Sequence, residues 1–425
     1  MTTATTVSRG EGVLLEPTVP PPLRYKIGLF VSMLLFFVAL LGPAIIGIGL
    51  KVQAIVPDAE KASALGLVAG VGALGALVAN VVFGRLSDRT TLRWGRRRPW
   101  IVAGTAVMTV GLLVLALAPN LPTATVGWLV TQLGANATLA PFVATIADQA
   151  PKAQRASISA LLGMAQNIGI LGGTYVAELF MGNMIVMFVV PAVVSIAGMA
   201  VFAIVLPDRA LPTAPPSMTL RQWAETFWVS PRRNPDYALA WWSRFLITLA
   251  TFMFTTYRLF FLQDRLDLSE GQAVSAITVG VLVYTVALVA SAWIAGKISD
   301  RIGRRKLFVF GSTALFAAGT VLLLFAHDLT TFYLVEVLLG FSYGIYVGVD
   351  LALVVDVLPN PDDAGKDLGV FNMANAMPQS IAPPLAAFLL GVGSATGQNY
   401  ELMLWIAGLL ALVGAFVVLP IKQVR

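Results

Sequence analysis

The chain alternates between long apolar runs and short polar links. Twelve runs approach or exceed the roughly twenty residues that a helix needs to cross the hydrocarbon core of a bilayer. Only helices and closed barrels satisfy their backbone there, so the pattern predicts an all-α polytopic membrane protein with twelve transmembrane helices. The predicted spans cover about 27–50, 63–83, 101–118, 124–147, 157–180, 185–206, 238–262, 273–295, 307–326, 331–355, 368–390 and 401–420.

Composition agrees with a membrane protein. Hydrophobic residues make up 57% of the chain and charged residues 12%, against about a quarter charged in soluble domains. Cysteine is absent and His327 is the single histidine, in a predicted loop. Disulfides, thiolate or histidine metal clusters and cysteine or histidine catalysis are therefore excluded, and we expect no metal, no cofactor and no enzymatic activity.

The basic residues fall on one side of the predicted bilayer. If the N-terminus is cytoplasmic, 23 of the 28 lysines and arginines lie in cytoplasmic segments, as the positive-inside rule predicts. The net charge of +6 thus indicates membrane orientation rather than nucleic-acid binding. We expect a multi-pass protein of the plasma or inner cell membrane, in contact with the lipid bilayer, with both termini cytoplasmic.

Polar segments divide the chain into two halves. Residues 1–24 form a polar, proline-rich stretch that predicts a disordered cytoplasmic tail. We expect a six-helix bundle over 25–206, a cytoplasmic linker over 207–237, a second six-helix bundle over 238–420, and a cytoplasmic C-terminus over 421–425. Within the linker, 220–229 predicts an amphipathic interfacial helix.

The second half repeats the first. Asp88 and Arg89 recur as Asp300 and Arg301 at an offset of 212, whereas Gly95, Arg96 and Arg97 recur as Gly303, Arg304 and Arg305 at an offset of 208. An Asp-x-x-Pro sequence follows in each half, at 148–151 and 356–359. Duplication of a six-span unit in one orientation predicts a pseudo-twofold axis along the membrane normal, with a cavity between the halves.

The repeated loop resembles a known family signature. G-x-x-S-D-R followed by G-R-R, after the second and eighth spans, is similar to the signature loop of the major facilitator superfamily. Residues 93–105 (RWGRRRPWIVAGT) also resemble the loop of its sucrose and glycoside-pentoside-hexuronide symporters. The resemblance implies the major facilitator fold and a secondary transporter that works by alternating access.

The two loops are also candidates for a conformational latch. Asp88 ends a predicted helix, where the helix dipole disfavours a carboxylate, so it needs a cation or another helix start, such as 366–369. Gly84 would permit close approach. The resemblance implies a cytoplasmic latch, made in the outward-open state, of Gly84, Asp88, Arg89, Arg96, Arg97, Asp300, Arg301, Arg304 and Arg305. Alternatively, the arginines only fix topology and bind anionic headgroups.

The tenth span carries the richest polar pattern. Glu336, Tyr343 and Asp350 are seven residues apart and share one helix face, with Tyr346 beside it. Gly340, Gly344 and Gly348 form a small-residue ridge that suits close helix packing. Charges at bilayer depth are costly, so we predict Asp350, and secondarily Glu336, as proton-coupling residues. A structural acid held by a fixed partner is the competing interpretation.

Other charges lie near the ends of spans. Glu336 and Glu178 are near the outer face, where snorkelling or an outer gate is as plausible as coupling. Arg258 either pairs with Glu336 or reaches water. Arg244, near Trp241 and Trp242, is predicted to be a snorkelling anchor.

Uncharged polar groups gather at mid-depth in both halves. Amides and phenols offer the donors and acceptors that a polyhydroxylated ligand requires, so we predict that they line a substrate cavity. Bonding between helices is the alternative for any one of them. Together with the charged Arg258, the cavity candidates are Gln132, Asn136, Gln166, Asn167, Tyr284, Tyr343, Tyr346, Asn372, Asn375 and Gln379.

The sequence therefore predicts a proton-coupled transporter of a small polar solute such as a sugar or glycoside. The glycoside symporters that it resembles place acids in spans two and four, but here Asn80, Gln132 and Asn136 occupy them, so a sodium site is not expected. An exporter of lipophilic compounds and a non-transporting sensor or scaffold are the alternatives. No Walker loop is present, and neither nucleic acid nor an obligatory protein partner is expected.

Overall fold

The computed structural model describes residues 17, 19–208, 210, 228–359, 364–394 and 397–422. Within these ranges, the side chains at 152, 153, 156, 300, 351, 364–366 and 368 are not described. Most of the predicted tail at 1–24, nearly all of the predicted amphipathic helix at 220–229 and the last three residues lie outside the described part.

Long helices account for all twelve predicted spans. They are α1 (Leu23–Ile55), α2 (Lys61–Asp88), α3 (Arg98–Leu117), α4 (Leu121–Gln149), α5 (Lys152–Leu179), α6 (Met184–Val205), α7 (Pro235–Leu266), α8 (Glu270–Ile302), α9 (Arg305–Leu322), α10 (Leu329–Asp356), α11 (Ala364–Gly391) and α12 (Tyr400–Val418). A π-helical turn at Pro43–Gly47 interrupts α1. Most of the helices extend beyond the apolar runs, because polar residues continue them into the interfacial layer.

Polar caps set several helix starts. The Asn120 side chain accepts a hydrogen bond from the Thr123 backbone N–H (3.0 Å) at the start of α4, and Asp328 accepts one from Thr331 (2.8 Å) at the start of α10. Each satisfies a backbone donor that the first turn leaves without a partner. The two caps are 208 residues apart, so the repeat extends to the ends of the helices.

Ten of the helices in the described part are long and apolar enough to cross a membrane. The remaining two, α5 and α11, are 28 residues long each. They carry five of the predicted cavity amides, Gln166 and Asn167 on α5 and Asn372, Asn375 and Gln379 on α11. The less apolar helices are thus equivalent members of the two halves.

The helix contacts reproduce the predicted duplication. In the first half α1 packs on α5 and α6, α4 packs on α2 and α3, and α3 packs on α6; the same pairs recur six helices later in the second half. Between the halves, α2 packs on α11 and α5 packs on α8, which are again equivalent pairs. This arrangement is that of two six-helix bundles related by a pseudo-twofold axis.

The predicted glycine ridge on α10 is confirmed. A Cβ built on Gly340 would lie 2.2 Å from the Tyr284 carbonyl oxygen, and one on Gly344 would lie 2.2 Å from the Leu288 carbonyl oxygen. Gly348 meets the backbone of Ala292 in the same way. Only glycine allows α8 and α10 to approach so closely, which fixes the rotation of α10 about its axis.

Candidate functional site

Two ion pairs join α7 to α10 inside the second half. Arg258 Nε lies 3.3 Å from Glu336 Oε1, and the guanidinium of Arg244 contacts the carboxylate of Asp350. Fourteen residues separate the two arginines and the two carboxylates alike, so the pairs lie about 21 Å apart along antiparallel helices. The two helices are therefore held in register by opposite charges at two depths.

Both pairs are shielded within the bundle. Glu336 is 0% exposed, Asp350 4% and Arg258 6%. Both carboxylate oxygens of Glu336 and Nε of Arg258 lack a hydrogen-bond partner among the described residues. Glu336 is thus a fully buried carboxylate that is neutralised by one arginine and otherwise unsatisfied.

Tyrosines fill the space between the two pairs. The rings of Tyr284 and Tyr343 lie 6.5 Å apart, and those of Tyr343 and Tyr346 lie 5.7 Å apart. The predicted polar face of α10 therefore forms one column with Tyr284 of α8, bounded by Glu336 at one end and Asp350 at the other.

The prediction that Arg244 is a snorkelling anchor is wrong. Its guanidinium lies 4.3 Å from the ring centre of Phe371 and pairs with Asp350, pointing inward rather than to the headgroups. Asp350 accordingly has a fixed partner in this state, as the competing interpretation proposed. For Arg258, the structure selects pairing with Glu336 over reaching water.

The predicted cavity amides divide into separate groups. Asn372, Asn375 and Gln379 occupy about 60° of arc on α11. Ile381 and Phe388, which are apolar and exposed, lie on the opposite side of that helix. The amide stripe therefore points away from the lipid-facing surface, as a cavity lining should.

Hydrogen bonds connect these amides locally. Asn375 donates to Asn372 Oδ1 (3.3 Å), and Thr248 of α7 donates to Asn375 (3.5 Å). In the first half Asn80 donates to Asn136 (3.2 Å), and Asn136 donates to the Gln132 carbonyl oxygen (2.9 Å).

On α5, Asn167 donates to the Gly163 carbonyl oxygen (2.9 Å) and Gln166 is exposed. The contacts described for these amides stay within one half, so the two halves present separate polar surfaces.

The repeated loop folds onto its own half at the end of the bundle that we call the basic face (residues 85–98 and 301–306). Arg97 pairs with Asp88 (2.6 Å) and with Asp148 (2.9 Å), and Arg96 also pairs with Asp148. Burial lowers the pKa of Arg97, but Asp148 and Asp88 outweigh burial and raise it above its usual value. The predicted need of Asp88 for a cation is thus met by a neighbouring arginine.

An equivalent brace closes the second half. Arg305 pairs with Asp356 (2.5 Å), at positions 208 residues after Arg97 and Asp148. Sequence reasoning marked both aspartates only as part of an Asp-x-x-Pro repeat and missed their role. The repeat offset itself was the available signal.

Other latch candidates make fewer contacts. Arg301 and Arg304 are exposed, Arg89 is exposed but has an interaction, and the side chain of Asp300 is not described. A Cβ on Gly84 would meet only Ala140, at 3.7 Å, so this glycine is not required for a close approach here. A latch between the halves therefore remains a prediction for another state.

At the other end of the bundle, which we call the closed face (residues 53–70, 178 and 257–275), contacts join the two halves. Lys61 pairs with Asp264 (2.8 Å), whose other oxygen accepts from Tyr400 (2.7 Å). The lysine and aspartate side chains are 8% and 9% exposed. This is a buried ion pair between the halves that the sequence did not reveal.

Further contacts extend the closed face. The Tyr257 hydroxyl contacts the carbonyl oxygens of Ala62 (3.0 Å) and Pro383 (2.9 Å). Ser275 of α8 donates to Glu178 of α5 (2.5 Å). Glu178 thus contacts the other half, and its role as an outer gate stays a prediction.

Comparison with known proteins agrees with this architecture. The family model for the Major Facilitator Superfamily matches residues 27–295 and 271–424. An uncharacterised MFS-type transporter of Mycobacterium tuberculosis (strain ATCC 25618 / H37Rv) is 25% identical over 353 residues, which is 80% of each chain. The protein YfiU of Bacillus subtilis (strain 168), also named as an uncharacterised MFS-type transporter, is 30% identical over 136 residues, and the match spans 26% of that relative.

Solved structures show the same fold. A mutant of the nucleoside transporter NupG superposes with a TM-score of 0.73 at 14% identity, over 93% of this chain and 99% of that one. A bacterial homologue of the human lysosomal transporter Spinster superposes with a TM-score of 0.69 at 14% identity, over 94% and 97%. With the family match covering nearly the whole chain and the paired six-helix bundles in place, this protein belongs to the major facilitator superfamily and is a membrane transporter, not an enzyme.

Proposed function

We propose that this protein is a proton-coupled secondary active transporter that moves a small polar solute, such as a sugar or glycoside, by alternating access. The observation that carries the proposal is the pair of buried carboxylate–arginine contacts between α7 and α10. Charges at bilayer depth are costly and mark ion or proton pathways by default. The remaining steps follow from what each group can do.

Protonation gives the two pairs a switching role. A carboxylate that takes up a proton loses its attraction for the arginine opposite, so α7 and α10 are no longer held at that depth. Since α7 also contacts α2 and α11 at the closed face through Tyr257, a change in its position reaches the contact between the halves. Proton binding and the opening of the closed face are thereby linked.

The amide surfaces support a polar, uncharged substrate. Asn372, Asn375 and Gln379 in the second half, and Gln132 and Asn136 in the first, each offer both a donor and an acceptor. A polyhydroxylated solute between the halves would use both kinds of group. The resemblance of 93–105 to the glycoside symporter loop points to the same substrate class.

Alternating access gives the two faces their roles. We assign the basic face to the cytoplasm, because the positive-inside rule places clustered arginines there. The contacts that join the halves at the closed face then make this an inward-facing state. In the outward-facing state, the two basic loops would meet and serve as the latch.

One comparison favours a second candidate, export of lipophilic compounds. A protein named Multidrug resistance protein 3 of Bacillus subtilis (strain 168) is 28% identical over 106 residues, 25% of this chain. An exporter would take lipophilic cations rather than sugars. An assay that compares sugars with lipophilic cations as substrates therefore distinguishes the two functions.

The test is transport in proteoliposomes that contain a pH-sensitive dye. Ligands are first found by thermal stabilisation of the purified protein against sugars, glycosides, nucleosides and lipophilic cations, since binding to the folded state raises its apparent stability. We expect a sugar or glycoside to stabilise the protein and to drive proton uptake. Stabilisation by lipophilic cations alone would support the exporter instead, and transport without proton movement would exclude coupling.

Two variants locate the coupling. Asp350→Asn and Glu336→Gln are each expected to abolish uphill accumulation and to spare exchange of substrate across the membrane. Asp328→Asn is the matched control, because it makes the same chemical change on the same helix and preserves the cap. Normal uphill accumulation by both variants would remove the two carboxylates from the mechanism.

A further inference from the structure

A pocket lies inside the C-terminal bundle beside the Arg258–Glu336 pair. Its volume is about 20 Å³, and a single water molecule needs roughly 10–15 Å³ on this measure. Helices α7, α8, α9 and α10 all contribute to its walls. The lining includes Thr251, Thr255, Arg258, Tyr284, Thr320 and Leu339.

An unsatisfied polar atom of Arg258 lies at this pocket, and two more lie on Glu336, the ion-pair partner of Arg258. Arg258 Nε and both oxygens of Glu336 are buried without a hydrogen-bond partner among the described residues. Such groups destabilise a folded protein, and a buried water with two to four polar partners removes that cost. The ion pair at 3.3 Å is too long to satisfy the donor fully.

The pocket's hydroxyl groups complete a set of partners for water. Thr251, Thr255 and Thr320 donate their protons to carbonyl oxygens one turn earlier, at 2.8, 3.0 and 2.9 Å. Their oxygens therefore remain as acceptors, while Arg258 can only donate. Water both accepts and donates, so it fits this set, whereas a metal cation would face the charge of Arg258.

The burial of the lining indicates how the pocket is reached. Thr251, Thr255 and Tyr284 are partly exposed, whereas Thr320 and Leu339 are buried. The accessible side is therefore formed by α7 and α8, and the inner wall by α9 and α10. Glu336 lies one turn from Leu339 on that inner side.

We propose that this pocket is a water site that carries protons between Glu336 and the space between the two halves. This inference rests on the proposed proton coupling and adds the route that the proton takes. In the step itself, a protonated water gives up one O–H bond and a Glu336 oxygen gains one, with no change of oxidation state. Glu336 is the group that receives the proton, and Thr320 is a positioning residue.

The experiment measures protonation directly and needs no substrate. The reconstituted protein is subjected to a pH jump, and the carbonyl stretching band of the protonated Glu336 carboxyl is followed by infrared spectroscopy. The band is assigned by its loss in Glu336→Gln. In Thr320→Leu, which fills the pocket, we expect protonation to slow by roughly a hundredfold, the low end of what a positioned proton carrier contributes.

Thr320→Ser is the matched control, because it keeps the hydroxyl and does not fill the pocket; it should retain the wild-type rate. Ala250→Val fills the pocket from α7, another wall of the same pocket, and replaces Thr320→Leu if that variant does not fold. Wild-type rates in the filling variants would overturn the water route while leaving coupling intact. A wild-type band that never responds to pH would overturn coupling at Glu336, and this inference with it.

Discussion

The two halves share one helix plan but have different interiors. At the offset of 208 residues that relates α4 to α10, Trp128 is equivalent to Glu336, and Phe142 is equivalent to Asp350. Trp128 is 3% exposed and Phe142 is 0% exposed. Where the second half has buried carboxylates, the first half has buried aromatic rings.

The arginines of α7 show the same contrast. At the offset of 212 that relates Asp88 to Asp300, Arg258 corresponds to Ile46, and Arg244 corresponds to Ser32. Neither can carry a charge, so the first half has no counterpart to the two ion pairs at these positions. Duplication has kept the packing, while the two buried carboxylate–arginine pairs lie in one copy. Apolar packing is insensitive to pH, so the first half serves as the fixed partner in our proposal.

Arg258→Met is expected to have the largest effect. It leaves Glu336 buried without its cation, and removing one partner of a buried pair costs roughly 3–5 kcal/mol of stability. The double variant Arg258→Met/Glu336→Leu makes this position resemble the first half, and it should recover to within about 1 kcal/mol of wild type. Apparent melting temperature in detergent measures both. A double variant as unstable as the single one would show that the second half cannot accept an apolar interior here.

The two braces provide a comparison at equivalent positions. Asp148→Ala removes a partner from Arg96 and Arg97, and the Arg97 side chain is 4% exposed. Because Asp88 still faces Arg97, we expect a loss near the lower end of roughly 3–5 kcal/mol. In Asp356→Ala the partners are 26% and 38% exposed, so a loss below about 1 kcal/mol is expected. Equal losses in thermal unfolding would contradict the difference in burial.

Tyr257→Phe tests how the second half contributes to the closed face. Its equivalent in the first half, Ile45, has no hydroxyl. The single hydroxyl proton is shared between the Ala62 and Pro383 carbonyl oxygens, and only Ala62 lies in the other half. Loss of this hydroxyl should weaken closure by about 1 kcal/mol and increase the open population several-fold. The chain has no cysteine, so a cysteine placed at Ala387 can report accessibility to an impermeant maleimide.

Tyr175→Phe is the control for that experiment, because Tyr175 is exposed and undergoes the same chemical change. Its labelling rate should match that of the parent cysteine variant. If Tyr257→Phe also labels at the parent rate, the hydroxyl does not hold the closed face.

The helix caps give the smallest expected effect. Hydrogen bonds from the Thr331 backbone and side chain lower the pKa of Asp328 below its ordinary value. A lowered folded-state pKa contributes stability above the ordinary value, and this is lost as pH falls through the folded-state pKa. Asp328→Asn should remove that acid dependence and keep the cap, as Asn120 does in the first half. Melting temperature measured from neutral to acid pH checks this, and an unchanged slope would contradict it.

The sequence was sufficient for the helices and their duplication. Apolar runs mark spans directly, and the repeated loop marks the two halves, because both signals are local in the chain. The spacing of Gly340, Gly344 and Gly348 was likewise sufficient to predict close packing. These features depend on periodicity within one helix.

Contacts between distant helices could not be predicted in the same way. Arg244 and Asp350 are 106 residues apart, and an arginine near a helix end can turn either outward or inward. Lys61 and Asp264 each look like ordinary loop charges until the halves are assembled. The rotation of each helix about its axis decides these pairings, and no short sequence pattern specifies it. The latch, coupling and cavity roles remain predictions.

Tyr257 bonds to its neighbours through their carbonyl oxygens. A carbonyl oxygen is present whatever residue occupies positions 62 and 383, so evolution can change those side chains without losing the bond. Among relatives, Tyr257 could therefore be retained while the residues at positions 62 and 383 change. Correlated substitutions between these positions would then not reveal the contact. Closure at this face would then depend on the identity of one residue, Tyr257, and on the backbone positions of two others.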